Sequence, residues 1–396
     1  MEVGPIPSIS VSDDISGFKI KPLSEMCVNV VVRNFGEKPF DPTTVVNARV
    51  AKSITHQIQS LNQIDPLVAA KYIRGGCYWE RACADLGLSC KRGKTATRIY
   101  FENYLTKEIE HYNETKDDAE AFLKMVEIIQ NQIFTLKFSR FPESSLKIDS
   151  ICNILSNITT MDFQFGGISC LSEISLSTVS DLSACINLSD CLTSLIIRNN
   201  KLHCGHIETI LEGLNKLPTL THIDLGFNKV KCKGAAVLAD KLLSPTDAVL
   251  VSLNLRNNMI DENGCKALGK SLRSNTSLMN LDIRFNSFGD SGGADLISCF
   301  RGNSTLTDFN ISSNSLSHRS VESFCGVFEA GLNCLTRVDL SSNNLSKEDI
   351  DRLAMSVKSS VTLLSIDLRM NPCSDGESLN QFLPTLRQNE QARRGK

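Results

Sequence analysis

The sequence predicts an α/β solenoid, with a parallel sheet on a concave side and helices on the convex side, preceded by a small all-α domain. Three observations predict it. An aliphatic motif recurs at near-constant spacing through the C-terminal two-thirds of the 396 residues. Each copy joins a short stretch of alternating apolar residues to one with helical period, and the segment ahead of the copies has helical period alone.

Written as L-x-x-L-x-L-x-x-N-x-L, the clear copies are Leu192/Leu195/Ile197/Asn200/Leu202, Leu220/Ile223/Leu225/Asn228/Val230 and Leu250/Leu253/Leu255/Asn258/Ile260. Four more follow: Leu278/Leu281/Ile283/Asn286/Phe288, Leu306/Phe309/Ile311/Asn314/Leu316, Leu335/Val338/Leu340/Asn343/Leu345 and Leu363/Ile366/Leu368/Asn371/Cys373. Their starts at 192, 220, 250, 278, 306, 335 and 363 give steps of 28, 30, 28, 28, 29 and 28. The x-L-x-L-x core reads as a short strand stacked in parallel on its neighbours. The asparagines Asn200, Asn228, Asn258, Asn286, Asn314, Asn343 and Asn371 read as structural, their amides turned inward to satisfy backbone groups where the chain leaves each strand. A step near 28 residues leaves room for a helix, as in Gly264–Leu272 and Lys347–Ala354.

In chain order, residues 1–40 mix Pro, Gly, Ser and isolated aliphatics and read as an extended arm. Residues 41–132 read as a helical domain: Val46, Val50, Ile54, Ile58 and Leu61 mark one amphipathic helix, Asp65-Pro66 caps a second that Gly75-Gly76 stops, and Thr95–Tyr112 and Asp117–Gln130 add others. Trp79, with Tyr78, Tyr100, Phe101 and Tyr104, is the expected core of this domain. Residues 133–390 are the repeat domain, opening with two degenerate units, Ile133/Leu136/Phe138 and Ile158/Met161/Phe163, that lack the asparagine. Leu379, Phe382, Leu383 and Leu386 read as a closing helix, and 391–396 as a polar tail.

Forty-two basic against 44 acidic residues give no global pull toward nucleic acid or an anionic membrane. The fifteen cysteines, odd in number in a long chain that opens without a signal peptide, read as reduced, and the chain as cytoplasmic.

The seven copies resemble the ribonuclease-inhibitor type of leucine-rich repeat over about residues 130–390, which implies a horseshoe. Ahead of them, Tyr78-Trp79-Glu80-Arg81-Ala82-Cys83 and Thr97-Arg98-Ile99-Tyr100-Phe101-Glu102-Asn103-Tyr104-Leu105 are similar to the segment before the repeats in the family of leucine-rich-repeat subunit 5 of the axonemal nexin-dynein regulatory complex, also called T-complex-associated testis-expressed protein 1. That resemblance implies a non-enzymatic scaffold in the cytoskeleton of the cilium or flagellum. It would bind coiled-coil and regulatory-complex subunits, meet microtubule doublets indirectly, and help regulate dynein-driven motility. Two other readings of such repeats are a ubiquitin-ligase substrate receptor with an F-box-like hook and a Ran-type GTPase activator. The second of these families typically ends in a long acidic tail, whereas this sequence ends Arg393-Arg394-Gly395-Lys396.

No catalytic, cofactor or metal residue is expected. Gly93-Lys94-Thr95 follows Gly87 one residue too far for a phosphate loop, and no apolar strand leads into it. Lys91, Arg92, Lys94 and Arg98 read instead as a basic surface. Cys204 and Cys232, at equivalent repeat positions with His203 and His206 near the first, read as fillers of small slots.

The expected partner-binding residues are on the concave face. One column between the core aliphatics reads Ile196, Asp224, Asn254, Asp282, Asn310, Asp339, Asp367; the next reads Arg198, Gly226, Arg256, Arg284, Ser312, Ser341, Arg369. At about 4.8 Å between strands, bare neighbouring carboxylates repel by roughly 1 to 3 kcal/mol. Alternation with Asn relieves this except at Asp339 and Asp367, which have only Arg337 and Arg369 near them. Phe227, Phe285 and Met370 follow the second column as expected apolar anchors for a partner segment carrying Lys or Arg.

Overall fold

A computed structural model describes residues 28–394 apart from 29, 36, 38, 40–47, 59–60, 62–63, 74–76, 90–92, 114–116, 140–146, 166–173, 215–217, 244–248, 332–333 and 373–375. Most of the expected arm, the Gly75-Gly76 stop, Lys91, Arg92, Cys373 and the last two tail residues lie outside the described residues. The chain divides into two compact units, Met1–Tyr100 and Phe101–Lys396.

The first unit contains α1 (Ala48–Ile58), α2 (Pro66–Tyr72), α3 (Cys77–Asp85) and the first residues of α4 (Ala96–His111). Asp65 caps α2 as its sequence implies, its carboxylate accepting from the N–H of Leu67 at 2.9 Å and of Val68 at 3.1 Å. Trp79 is buried, donates from Nε1 to the Ile73 carbonyl at 3.1 Å, and meets the rings of Tyr78 and Tyr100 at 5.0 and 5.1 Å. The expected arm is corrected at its end, because residues 30–33 are helical and Val28, Val32 and Phe35 are buried. Those three recur at helical spacing, a signal hidden by flanking Gly and Pro.

The second unit begins earlier than residue 133. Phe101, Leu105 and Ile109 of α4 are buried, and α5 (Ala119–Ile129) follows with Phe122, Met125, Val126 and Ile129 buried. The polar face of α4 bonds to the first strand: Glu102 accepts from Phe134 N–H at 3.3 Å and Thr106 donates to the Lys137 carbonyl at 2.8 Å. The last third of the expected helical domain therefore caps the repeats, and Phe101 and Tyr104 count with them.

Among the described residues nine strands form one parallel sheet in chain order: β1 (Thr135–Phe138), β2 (Thr160–Phe163), β3 (Ser194–Ile197), β4 (His222–Asp224), β5 (Ser252–Asn254), β6 (Asn280–Asp282), β7 (Asp308–Asn310), β8 (Arg337–Asp339) and β9 (Ser365–Asp367). The two degenerate units supply β1 and β2 and bury Leu136, Phe138, Met161 and Phe163. A helix follows each strand: α6 (Ile148–Ile154), α7 (Leu176–Asn187), α8 (Cys204–Leu214), α9 (Lys231–Leu242), α10 (Glu262–Leu272), α11 (Gly289–Ser298), α12 (His318–Ala330), α13 (Lys347–Val357) and α14 (Gly376–Asn380), and α15 (Leu383–Arg394) closes the unit. This is an α/β leucine-rich-repeat solenoid. The closing helix runs through Arg394, so the expected polar tail is largely helical; its anchor is buried Asn389, while Leu383 is exposed.

The asparagines tie successive turns together. Oδ1 of Asn286 accepts from the N–H of Asn258 and of Ile260, both at 3.0 Å, while its Nδ2 donates to the carbonyls of Leu255 and Ile283. Asn228 does the same for Asn200 and Leu202, and Asn343 for Asn314 and Leu316. A second buried set stands where the chain enters the strands. Asn275 accepts from Leu278 N–H and donates to the Leu243 carbonyl; Asn303 accepts from Leu306 N–H and donates to the Leu272 carbonyl. Both open Asn-x-Ser/Thr tracts, and their amides lie inside the solenoid.

Candidate functional site

The concave face of the sheet holds a trough of about 550 Å³ spanning β3 to β9. Its floor is the predicted first column: Ile196 pairs in register with Asp224, then Asn254, Asp282, Asn310, Asp339 and Asp367. A further row, Ser194, His222, Ser252, Asn280, Asp308, Arg337 and Ser365, lines the same trough. It follows from strand alternation two residues upstream of the first column, and its polar character is the signal that could have found it.

Ion pairs neutralise most of this face. Arg198 reaches Asp224 at 2.6 Å, Arg284 reaches Asp282 at 3.3 Å, Arg369 reaches Asp367 at 2.5 Å, and Arg337 pairs with Asp308. Burial raises the Asp282 pKa against the pull of Arg284; hydrogen bonds from the Arg369 side chain lower that of Asp367. Of the two arginines expected near Asp339 and Asp367, one pairs with that couple and the other does not. Arg369 answers Asp367, Arg337 turns to Asp308, and Asp339 alone has no cation at ion-pair distance among the described residues. It accepts instead from Asn310 Nδ2 at 2.8 Å and from the Ser341 hydroxyl at 2.7 Å.

Arg256 is its counterpart of opposite sign. Among the described residues no carboxylate pairs with it, and its Nε is shielded from solvent without an acceptor. The guanidinium lies over the Phe227 ring, 4.5 Å from the centroid. Gly226 makes that possible, because a Cβ there would stand 3.0 Å from Arg256 Cγ.

The three apolar anchors occupy an unusual backbone position. Phe227, Phe285 and Met370 have φ of 60°, 57° and 62°, and the equivalent residues of the other clear repeats, Asn199, Asn257, Ser313 and Ser342, are left-handed too. Asparagine tolerates that region, whereas larger side chains are strained there by roughly 1 to 2 kcal/mol. Phe285 is nevertheless 55% exposed and Met370 79%, so folding does not use most of either side chain.

The motifs set aside in the sequence have the following surroundings. Cys204 and Cys232 are free thiols, and each backs onto a glycine of the next repeat, Gly234 and Gly264, whose missing Cβ lets the helices approach. Among the described residues no group of three or more His, Cys, Asp or Glu is arranged to hold a metal ion, and no helix is long and apolar enough to cross a membrane. The hydroxyl of Thr95 accepts from Arg98 N–H at the start of α4, a helix-capping contact beside Gly93-Lys94.

Two polar clusters were not read from the sequence. Asp290 in α11 accepts from the N–H of Ser317 and of Ser320 at 2.9 Å and of Arg319 at 3.0 Å, capping the next helix, α12. Burial opposes its charge, but the hydrogen bonds from Ser320 and Ser317 outweigh this and bring its pKa to about 2. His318 Nδ1 lies 2.8 Å from Asp349, which closes a capping box with Ser346. Both join residues about 30 apart, one repeat to the next.

Comparison with known proteins agrees with the class. A family profile described as "Leucine Rich repeat" matches residues 216–239, 274–296 and 331–354. The chain is a leucine-rich-repeat protein, and such repeats mark a protein–protein interaction scaffold. It is 38% identical over 103 residues to mouse "NACHT, LRR and PYD domains-containing protein 4E" and 36% identical over 101 residues to mouse protein 4C of the same series. Each match takes in 25% of this chain and 10% of the relative. Among solved structures, "Leiomodin-1 Actin-Binding Site 2 (ABS2)" aligns over 45% of this chain and 85% of its own, with 14% identity and a TM-score of 0.32.

Proposed function

We propose that the protein is a non-catalytic scaffold whose concave trough and Phe227/Phe285/Met370 rim hold a partner subunit. The observation that carries this reading is the rim: large apolar side chains stand exposed at left-handed positions where asparagine or serine would serve the fold. The two charges of this face without an ion-pair contact among the described residues specify the partner further. It presents a base to Asp339 on β8 and an acid beside Arg256, which follows β5, with about 14 Å across the sheet for three strand spacings and a two-residue offset along the strand.

The assembly we propose is the axonemal nexin-dynein regulatory complex, with the chain as a structural subunit that helps regulate ciliary or flagellar motility. The support is the similarity of Tyr78–Cys83 and Thr97–Leu105 to that family's leading segment. Affinity capture of the tagged chain from ciliated cells tests both levels. Regulatory-complex coiled-coil subunits should be recovered by the wild type and lost with the double change Arg256→Glu, Asp339→Arg at unchanged melting temperature. Recovery of cullin adaptors in their place would assign the chain to a ubiquitin ligase, and undiminished capture by the double variant would remove the trough from the interface.

A further inference from the structure

The two ends of the sheet are finished differently. At the β1 end, α4 side chains bond to the outer backbone: Glu102 to Phe134 N–H, Thr106 to the Lys137 carbonyl, and Glu110 to Ser139 N–H at 2.6 Å. At the β9 end, Asn389 of α15 bonds upstream of the strand, to the carbonyls of Ser360 and Leu363 at 2.9 Å. Between β9 and the closing helices runs a groove of about 310 Å³ floored by Ile366 and Leu368 and walled by Leu379, Phe382, Leu383 and Leu386.

Side chains and backbone both mark this groove as open. Ile366 is only half-buried, whereas the residue in its register on β3 to β8 is at most 3% exposed. On β8, the Thr336 carbonyl accepts from Leu364 and Ser365, and the N–H groups of Leu340 and Ser342 donate to the carbonyls of Asp367 and Arg369. One repeat later the equivalent groups are the Leu364 carbonyl and the N–H groups of Leu368 and Met370. Among the described residues no strand follows β9 to receive them.

We propose that the β9 edge receives an extended segment of another protein with the pattern apolar–basic–apolar, added as a tenth parallel strand. The same sheet already contains such a pairing. Leu136-Lys137-Phe138 of β1 lies in register with Met161-Asp162-Phe163 of β2, and Lys137 Nζ is 3.5 Å from Asp162. Ile366-Asp367-Leu368 also runs apolar–acidic–apolar, with Asp367 held by Arg369 of its own strand end, which an incoming base would share or displace. A cation arriving beside Asp367 also adds positive charge to a row in which Asp339 and Asp367 are neighbours and share one nearby arginine, Arg369. Alternate residues of the incoming strand point to one side, so its two apolar side chains enter the groove while the basic one faces the concave surface.

A second copy of this chain fits less well. Twofold antiparallel pairing centred on the strand opposes Asp367 to its own copy. Head-to-tail pairing needs the outer edge of β1, which α4 already occupies.

The test reads a synthetic peptide and not the partner of the trough, whose floor also includes Asp367, and Leu383→Glu lies outside that trough. A fluorescein-labelled synthetic octapeptide, Ile-Phe-Thr-Leu-Lys-Phe-Ser-Arg, is titrated with the full chain by fluorescence anisotropy, alongside its counterpart with Glu in place of Lys. The expected result is saturable binding of the Lys peptide and about tenfold weaker binding of the Glu peptide, the ratio that one unfavourable charge contact of about 1.4 kcal/mol gives. Asp367→Lys should reverse that order, and Leu383→Glu should abolish binding of both while the protein still melts cooperatively. Failure of the folded wild type to saturate, or equal binding of the two peptides, overturns the proposal. Sedimentation showing a dimer that Leu383→Glu dissociates also overturns it, by giving the edge to a second copy.

Discussion

Replacing Met370 by asparagine should make the protein more stable and a poorer binder. Met370 sits at φ 62° and is 79% exposed. Its side chain therefore contributes about a fifth of the roughly 1.5 to 3 kcal/mol of a fully buried one, or about 0.5 kcal/mol. Relief of the left-handed strain returns about 1 to 2 kcal/mol, and asparagine avoids the unfolded-state entropy that glycine would add. The net gain is about 1 kcal/mol, or about 2 °C in melting temperature for a unit of this size. Urea unfolding of Met370→Asn reads it directly. The reverse change, Asn257→Met at φ 50° on an exposed position, should cost about 1 kcal/mol on the same argument. A Met370→Asn protein less stable than the wild type by 0.5 kcal/mol or more, on the order of a typical surface effect, would refute the strain reasoning and return Met370 to the fold.

Asn286→Ala leaves two N–H groups and two carbonyls without their partner and should cost about 3 kcal/mol in urea unfolding, against about 0.5 kcal/mol or less for exposed Val361→Ser; equal losses would mean the ladder is not what joins the repeats. For Asp290, whose folded pKa of about 2 lies below its usual 3.8, the stabilisation is complete above the unfolded pKa and lost as pH falls through about 2. Because the carboxylate is only half-buried, solvent screening reduces the contribution to about 1 to 1.5 kcal/mol, so Asp290→Asn should lose that at pH 6 and converge with the wild type near pH 2. His318 is raised above 6.5 by its hydrogen bond to Asp349, so its contribution is complete below 6.5 and lost as pH rises through the higher folded value. The melting advantage of the wild type over His318→Gln should therefore shrink from pH 6 to pH 8, and a constant difference would show that the pair does not titrate with folding.

The repeat register was legible because strand alternation and the inward asparagine are local and recur at fixed offsets. The concave columns followed from the same frame. What the frame could not reveal was the pairing across it: Arg337 turns to Asp308 and not to Asp339, a choice between neighbours made by side-chain geometry. Asp290 and His318 escaped because each meets its partner one turn of the solenoid away, where no short-range pattern exists. Asn275 and Asn303 were readable in principle, both standing three residues before a repeat leucine. The boundary near residue 133 failed for another reason: α4 and α5 have ordinary helical period, and only their contacts reveal that α4 closes the sheet edge.

The central claim is that the concave side, and not the helical side, meets the partner. A photo-crosslinking amino acid placed at Phe285 on the rim, or at Met355, 69% exposed on α13, compares the two in ciliated cells. A discrete crosslinked protein from position 285 and none from 355 is the result predicted here. A discrete product from 355 alone would contradict it.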